Sequence, residues 1–337
     1  MAAIGLTALL LAVIIIGRNT SKQEQSYNQQ LFAMDTYMSL TAYGENAKEA
    51  VEASVEEIQR IEQLISIGFD SSEVSKLNQQ GEGNASEDTQ ILLQKSMELW
   101  EKTDGVFDIS IYPVMKLWGF ADENYKVPKE DELRETLKLV DAGKISYDEG
   151  AHRISFEKKG MAIDFGGIGK GYTSNRVMEV FKEYGVKSGI INLGGNVQTL
   201  GSHTDQSKWN VAIKDPMHTE DMLGTLKIAN QAVITSGGYE RYFEENGKTY
   251  HHIIDPATGY PADSGILSAT IISEDGMLAD GLSTSLFIMG IDKATEYWRQ
   301  SKETFDFIIE AKDGTLYVTE GIRDSFRTER NVISVQK

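Results

Sequence analysis

The sequence predicts an α+β fold in which mostly antiparallel sheets are mixed with helices that pack on them. Amphipathic helical stripes and short β-branched runs both occur along the chain, and they follow no regular strand–helix–strand order and no internal repeat. Such an irregular order favours antiparallel sheet over a doubly wound parallel one. The length of 337 residues suits one large domain or two closely joined subdomains.

The first element is an apolar segment. Residues 1–17 carry no charged side chain and, as a helix, would span roughly 25 Å at ~1.5 Å per residue, slightly less than a ~30 Å hydrocarbon core. The polar residues 18–30 predict a linker, so export or membrane anchoring is favoured over a buried core helix. Arg18 and Lys22 follow the span, opposite to the usual signal, and no A-x-A cleavage site is evident.

The remaining elements are assigned to one domain, residues 31–337. Alternation predicts a strand over 31–43, and apolar residues at helical spacing predict a helix over 47–65. Further helices are predicted over 89–102, 169–184 and 278–299. Short β-branched runs predict strands at 189–193, 209–213, 232–236 and 266–273, and the tail alternates again from Phe305.

Composition excludes several classes of function. The formal charge of −18 argues against binding nucleic acid, which requires a positive surface. The chain has no cysteine, so it has no disulfide, thiolate metal site or cysteine nucleophile. A polyanionic ligand would therefore need a local metal ion, a lysine or backbone amides to offset the acidic charge.

A glycine-rich loop at residues 162–172, A-I-D-F-G-G-I-G-K-G-Y, follows an apolar run and opens a predicted helix. It is neither a Walker A motif, because Gly171 follows Lys170, nor a G-x-G-x-x-G motif. It could present backbone amides, a helix N-terminus and Lys170 to an anion. The alternative is a strand-to-helix turn that needs only the freedom of glycine.

A second candidate is the A-D-G-L-S-T run at 279–284. Asp280 and Thr284 lie four residues apart on a predicted helix, so their side chains share one face. A carboxylate with a hydroxyl suits a hard cation such as Mg²⁺. The alternative is that Asp280 caps the helix start and Thr284 only packs.

His251 and His252 precede the turn sequence D-P-A-T-G. If they end a strand, their side chains point to opposite faces, so that one faces a site while the other is solvated. Two solvated or core histidines are the alternative.

Eight motifs together carry a resemblance that no single one establishes. They are A-M-D-T (33–36), S-S-E-V-S-K-L-N (71–78), D-G-V-F-D (104–108), I-D-F-G-G-I-G-K-G-Y (163–172), I-I-N-L-G-G-N (190–196), A-V-I-T-S-G-G-Y-E-R (232–241), H-H-I-I-D-P-A-T-G-Y-P (251–261) and L-A-D-G-L-S-T (278–284). In this order, from about Phe32 to about Gly290, the sequence resembles the ApbE family of flavin transferases, the FAD:protein FMN transferases.

The resemblance implies a two-subdomain, T-fold-related architecture and a specific reaction. FAD is cleaved with the help of Mg²⁺, with Mn²⁺ as the alternative metal. FMN is attached as a phosphoester to a Thr or Ser hydroxyl of an acceptor protein with an FMN-binding domain, and AMP leaves. The implied metal ligands are the carbonyl of Gly167 with Asp280, Ser283 and Thr284. The implied flavin contacts are Met34, Val106, Phe107, Asp108, Asp164, Lys170, His252 and Ile254. His252 is also the candidate for contacting the phosphates or assisting proton transfer. Asp280 is a candidate catalytic residue because it would bind the metal ion.

The sequence departs from the family pattern at three places. It lacks the cysteine through which many members are lipidated, so it cannot be lipidated in that way. Asn196 stands where many members have aspartate. Gly68, with Phe69 beside it, stands at about the position of an aromatic residue that stacks on FAD.

Three functions are therefore compared. The leading one is a membrane-attached, extracytoplasmic FMN transferase. An FAD pyrophosphatase would share the metal site and use water as the attacking group. A non-catalytic flavin-binding protein is disfavoured by the Asp280 and Thr284 pair, because storage of FAD needs no metal.

Overall fold

The computed structural model describes residues 25–218 and 220–337, so the predicted apolar segment 1–17 and residues 18–24 of the predicted linker lie outside it. Its helices are α1 Ala47–Ile65, α2 Glu73–Gln80, α3 Glu87–Lys102, α4 Tyr112–Leu117, α5 Glu130–Leu137, α6 Gly169–Glu183, α7 Gly276–Met289 and α8 Ile291–Gln300. None of these helices is both long enough and apolar enough to cross a membrane.

The strands are mostly antiparallel. They are β1 Ser26–Ala33, β2 Thr36–Tyr43, β3 Glu82–Asn84, β4 Ile145–Asp148, β5 Arg153–Phe156, β6 Ser188–Leu193, β7 Asn196–Leu200, β8 Trp209–Lys214, β9 Met222–Ile228, β10 Ala232–Gly237, β11 Tyr242–Glu245, β12 Lys248–His251, β13 Ile266–Ser273, β14 Asp306–Ala311, β15 Leu316–Thr319, β16 Phe326–Arg327 and β17 Val332–Val335. Nine form one sheet in the order β1-β2-β6-β7-β10-β13-β14-β15-β17, in which only β15 and β17 run parallel.

The central sheet is covered on both faces. Along β10, β13 and β14, alternate residues belong to two different apolar clusters, because successive side chains of a strand point to opposite faces. Ile234 and Ile271 join the cluster that includes α7. Val233 and Ile272 join the cluster formed with β8 and β9 of the small sheet β16-β9-β8. This arrangement confirms the predicted α+β class with mostly antiparallel sheet.

The first predicted strand is a hairpin rather than one strand. Residues 26–30, assigned to the linker, already belong to β1, and the chain turns at Met34 and Asp35. Both turn residues have positive φ, 49° and 57°, as a two-residue type I′ hairpin turn requires. Neither is glycine, so the sequence shows no turn signal there.

The helix predicted over 278–299 is two helices. α7 ends at Met289, the next residue Gly290 breaks the helical path with a φ of 81°, and α8 begins at Ile291. The helices predicted over 47–65, 89–102 and 169–184 are confirmed as α1, α3 and α6, with ends that differ by at most two residues.

α6 and α7 cross unusually closely. A methyl group added at Gly171 of α6 would lie 2.2 Å from the carbonyl oxygen of Gly276 and 2.6 Å from Cβ of Asp280 on α7. Glycine is therefore required at this crossing, where the backbone of one helix lies against the other. The crossing sets the position of Asp280.

Candidate active site

The predicted loops meet around one cavity of about 1370 Å³. Its walls come from the β1–β2 turn, residues 106–109, the glycine loop at 164–170, the β6–β7 turn at 192–197, residues 235–241, residues 252–256, and α7. Pockets for drug-sized ligands usually measure about 300–1,000 Å³. This cavity is larger and can hold a dinucleotide.

Asp280 lies inside α7, not at its start. The helix is capped by Asp275, whose Oδ1 accepts the amides of Met277 and Leu278 at 2.9 and 3.2 Å. The interpretation of Asp280 as the cap is therefore wrong. Asp280 is 5% exposed and lines the cavity.

Both carboxylate oxygens of Asp280 are held by donors from distant parts of the chain. Oδ2 accepts the amide of Gly171 at 2.7 Å, and Oδ1 accepts Nδ2 of Asn196 at 3.1 Å. Burial raises the pKa of Asp280, while the Lys170 charge and these two hydrogen bonds oppose that effect. Each oxygen keeps a free lone pair, so the carboxylate is oriented but still able to bind a cation.

Thr284 lies one turn after Asp280 and also lines the cavity. Its Oγ1 is 3.3 Å from Oγ of Ser236. The glycine loop comes close to it, because a Cβ built on Gly167 would lie 3.8 Å from Thr284 Oγ1 and 3.2 Å from Cε2 of Phe107. The structure thus brings together Asp280, Thr284 and the main chain of Gly167.

Ser283 differs from the other predicted metal ligands. Its side chain is fully buried and does not line the cavity. Its hydroxyl donates to the carbonyl of Asp280 at 2.7 Å and lies 2.7 Å from Oγ of Ser236. The hydroxyl of Ser283 therefore joins α7 to β10 rather than facing the cavity.

The donor set consists of oxygen atoms alone. In the described part of the chain, no group of three or more His, Cys, Asp or Glu side chains could hold a metal ion. One carboxylate, one hydroxyl and backbone carbonyls fit a hard cation that keeps several waters, as Mg²⁺ does. They fit a thiolate- or imidazole-binding metal poorly.

Lys170 supplies positive charge on the same side of the cavity. It lies in the first turn of α6, half-buried, and forms no salt bridge with any residue of 25–218 or 220–337. The positive charge of Lys170 lowers the pKa of Asp280, Glu240 and His252. An unpaired ammonium group beside amides of a glycine loop is a suitable partner for phosphate.

The two histidines point in opposite directions, as the strand interpretation predicts. His252 lines the cavity, whereas the Nε2 atom of His251 lies 3.1 Å from the carbonyl oxygen of Ala262 and its ring packs edge-on against Phe287. The expectation that the second histidine is solvated is wrong, because His251 is half-buried.

His252 is a neutral imidazole. Burial lowers its pKa to about 3, and the hydrogen bond with the carbonyl oxygen of Arg241, at 3.1 Å from Nδ1, opposes this only in part. Because that carbonyl can only accept, Nδ1 carries the proton and Nε2 carries a lone pair.

The predicted flavin contacts all lie on the cavity wall: Met34, Val106, Phe107, Asp108, Asp164, Lys170, His252 and Ile254. The carboxylate of Asp108 also has a structural task, since it accepts the amide and hydroxyl of Ser110 and the amide of Ala142. Asp164 accepts the amide of Gly166 at 2.8 Å and so shapes the glycine loop. Burial raises the pKa of both carboxyl groups.

Several wall residues were not predicted from the sequence. Glu240 and Arg241 end a motif that was recognised, but neither was singled out, and Glu62 and Lys214 belong to a helix and a strand with no motif. Burial raises the pKa of Glu240, against the effect of Lys170. Gly68 does line the cavity and Phe69 does not, so neither supplies an aromatic ring there.

A model of the ApbE family matches residues 34–309. The chain belongs to the ApbE family. A protein of Klebsiella pneumoniae named FAD:protein FMN transferase is 34% identical over 273 residues, which cover 80% of this chain and 84% of that protein. A protein of the same name from Treponema pallidum is 29% identical and covers 82% of both chains.

Solved structures agree with this ApbE-family assignment. The crystal structure of the ApbE protein from Thermotoga maritima superposes with a TM-score of 0.85 at 33% identity, covering 90% of this chain and 100% of that one. The apo flavinyl transferase ApbE of Pseudomonas stutzeri gives 0.77 at 23% identity, covering 91% and 95%, and supports the fold.

Proposed function

We propose that this ApbE-family chain transfers the FMN part of FAD to a Ser or Thr hydroxyl of an acceptor flavoprotein and releases AMP. The observation that carries the proposal is the meeting of Asp280, Thr284 and the glycine loop at one cavity large enough for FAD. The relatives named FAD:protein FMN transferase support the same reaction.

The reaction balances without a redox step. The acceptor oxygen forms a bond to the FMN-side phosphorus, the bond from that phosphorus to the bridging oxygen breaks, and AMP leaves with the bridging oxygen. The proton of the acceptor hydroxyl passes to a base or to water. Phosphoryl transfer of this kind requires positioning and charge neutralisation more than a covalent nucleophile, which agrees with a chain without cysteine.

Mg²⁺ is the metal that the donor set fits best, with Mn²⁺ as the related alternative. Asp280, Thr284 and the carbonyl of Gly167 would hold it, whereas the hydroxyl of Ser283 is already bonded to Ser236 and to the carbonyl of Asp280. The bound ion would neutralise charge on the diphosphate. Asn196 and the Gly171 amide keep the Asp280 carboxylate oriented toward it.

Other groups of the cavity wall bind the phosphates, the flavin and the acceptor hydroxyl. Lys170 and the amides of the glycine loop bind phosphate oxygens, and Phe107 and Ile254 provide apolar wall beside the flavin. His252 presents Nε2 as a hydrogen-bond acceptor, which can orient the hydroxyl of the acceptor. A low pKa keeps this imidazole neutral at physiological pH, so that it does not lose its acceptor atom.

The proposed place of action is the extracytoplasmic face of a membrane. Two features of the sequence support it: the uncharged run at 1–17 and the polar residues 18–24 that separate it from β1.

Mass spectrometry of the acceptor tests the proposal. The full chain in mild detergent is incubated with FAD, Mg²⁺ and a candidate FMN-binding domain, with and without EDTA. We expect a Mg²⁺-dependent gain of one FMN phosphoester, which Asp280→Asn abolishes and Asp324→Asn, a change of an exposed carboxylate, leaves intact. Free FMN and AMP with every acceptor unmodified would favour the pyrophosphatase, and intact FAD throughout would contradict both enzymatic functions.

A further inference from the structure

Two aromatic side chains are exposed side by side at the tip of the first hairpin. Phe32 and Tyr37 are directly opposed residues of β1 and β2, with ring centroids 5.1 Å apart in an edge-to-face arrangement. Phe32 is 61% and Tyr37 82% exposed. A pair of large rings held together in water is typical of an interaction surface rather than of scattered surface residues.

The aromatic pair lies at the mouth of the cavity. Phe32 lines the cavity together with the turn residues Met34, Asp35 and Thr36, whereas Tyr37 does not line it. The two rings therefore form a surface that starts at the cavity wall and continues outward. A dinucleotide within the cavity would leave the outer ring uncovered.

The hairpin tip is held rigidly in this place. β2 pairs with β6 from Met38 to Tyr43, so it is not an edge strand. Thr36 packs against the β6–β7 turn so tightly that a Cβ on Gly194 would lie 2.2 Å from Thr36 Oγ1. The Met34 amide also donates to Oε1 of Glu62 on α1 at 2.5 Å. A partner bound to the rings would thus have a fixed position relative to the cavity.

We propose that Phe32 and Tyr37 form the docking site for the acceptor protein. The inference rests on the proposed function, because a protein that presents a Ser or Thr hydroxyl to the cavity must lay its flanking residues over the mouth. The two rings would pack against an apolar side chain of the acceptor that lies near its accepting Ser or Thr. This contact would hold the acceptor in place while the Ser or Thr hydroxyl enters the cavity. A membrane surface or a second copy of this chain would have no such reason to bind at the cavity mouth.

Steady-state kinetics with separate titrations of acceptor and FAD test the docking site. Tyr37→Ala and the double variant Phe32→Ala/Tyr37→Ala are compared with Ile333→Ala, which removes an exposed apolar side chain on β17 at the opposite edge of the sheet. We expect the acceptor KM to rise about tenfold or more in the double variant, as for an aromatic hot spot. Tyr37→Ala should raise it in part and leave kcat and the Kd for FAD unchanged. Tyr37→Phe, which keeps the aromatic ring, should leave the acceptor KM close to that of the unaltered chain.

Acceptor binding to the Asp280→Asn chain, measured by fluorescence anisotropy, gives a readout that needs no catalysis. Absence of transfer by the unaltered chain would contradict the proposed function, and loss of acceptor binding in the double variant would still support the docking site. An unchanged acceptor KM and Kd in the double variant would refute it. A Kd for FAD that rises in the double variant by the same factor as the acceptor Kd would also refute it. So would a double variant that loses binding to lipid vesicles, or loses self-association, while its Kd for the acceptor stays unchanged.

Discussion

The crossing of α6 and α7 predicts that Gly171→Ala disturbs the site by displacing Asp280. The new methyl group would lie 2.2 Å from the carbonyl oxygen of Gly276, well inside van der Waals contact, and the obstacle is backbone. The helices must therefore separate. Overpacking of this kind costs about 1–3 kcal/mol, and replacing a helical glycine by alanine returns up to about 1 kcal/mol. We expect a net loss of about 1–2 kcal/mol.

Gly169→Ala is the matched control for this change. It lies two residues earlier in the same helix, and the close neighbour of its methyl group would be Cδ1 of Ile65 at 2.8 Å, the mobile end of a side chain, with Cβ of Phe165 in ordinary contact at 4.0 Å. Urea unfolding should show a lower midpoint for Gly171→Ala at an unchanged slope, and a midpoint near that of the unaltered chain for Gly169→Ala. The Mg²⁺ concentration for half-maximal transfer should also rise only in Gly171→Ala, because the amide that holds Asp280 Oδ2 moves. Equal stability and equal Mg²⁺ dependence of the two variants would refute the reasoning.

Three further predictions concern single polar groups. Lys170→Gln should raise the Kd for FAD about tenfold, since it removes a charge-assisted bond to phosphate, while Lys187→Gln at an exposed position should not; equilibrium dialysis measures both, and equal effects would contradict the assignment. Asn196→Ala should weaken Mg²⁺ binding roughly 10–100-fold, followed as Mg²⁺-dependent thermal stabilisation, because Asp280 Oδ1 loses its donor. Glu310 is 1% exposed, and burial raises its pKa from 4.5 to about 7, with Asp215 adding to this and Arg330 opposing it. The folded chain thus holds this proton more tightly than the unfolded chain, so the stability it contributes is full below about pH 4.5 and is lost as the pH rises toward about 7. With a discount for solvent screening, Glu310→Gln should be more stable than the unaltered chain by about 1–2 kcal/mol at pH 8 and equal to it at pH 4.5 in urea unfolding, and a gap independent of pH would disprove this.

The features that the sequence predicted correctly depend on local spacing. The apolar stripe of α1 and the shared face of Asp280 and Thr284 follow from helical periodicity, which needs no knowledge of the rest of the chain. The divergence of His251 and His252 follows from the period of a strand. These patterns establish the elements and the direction of each side chain.

The assembly of the site depends on contacts between distant residues. The donors to Asp280 come from Gly171 and Asn196, 109 and 84 residues away in the chain, and no local pattern relates them. Only the family resemblance joined these segments before the structure did. The turn at Met34 and Asp35 was missed for a related reason, since two non-glycine residues adopt positive φ there to fit the twist of the hairpin.

The charges of the cavity explain why a lysine alone would not suffice for a diphosphate substrate. Eight carboxylate side chains and three cationic ones line the wall: Asp35, Glu62, Asp108, Asp122, Glu123, Asp164, Glu240 and Asp280 against Lys170, Lys214 and Arg241. Two like charges about 5 Å apart repel by about 3 kcal/mol at an effective dielectric constant of ~20. FAD brings two negative charges, so a single ammonium group leaves the repulsion largely uncompensated. A divalent cation on Asp280 would change the charge at that point from −1 to +1, which is why the proposed metal belongs beside Lys170 and the glycine loop.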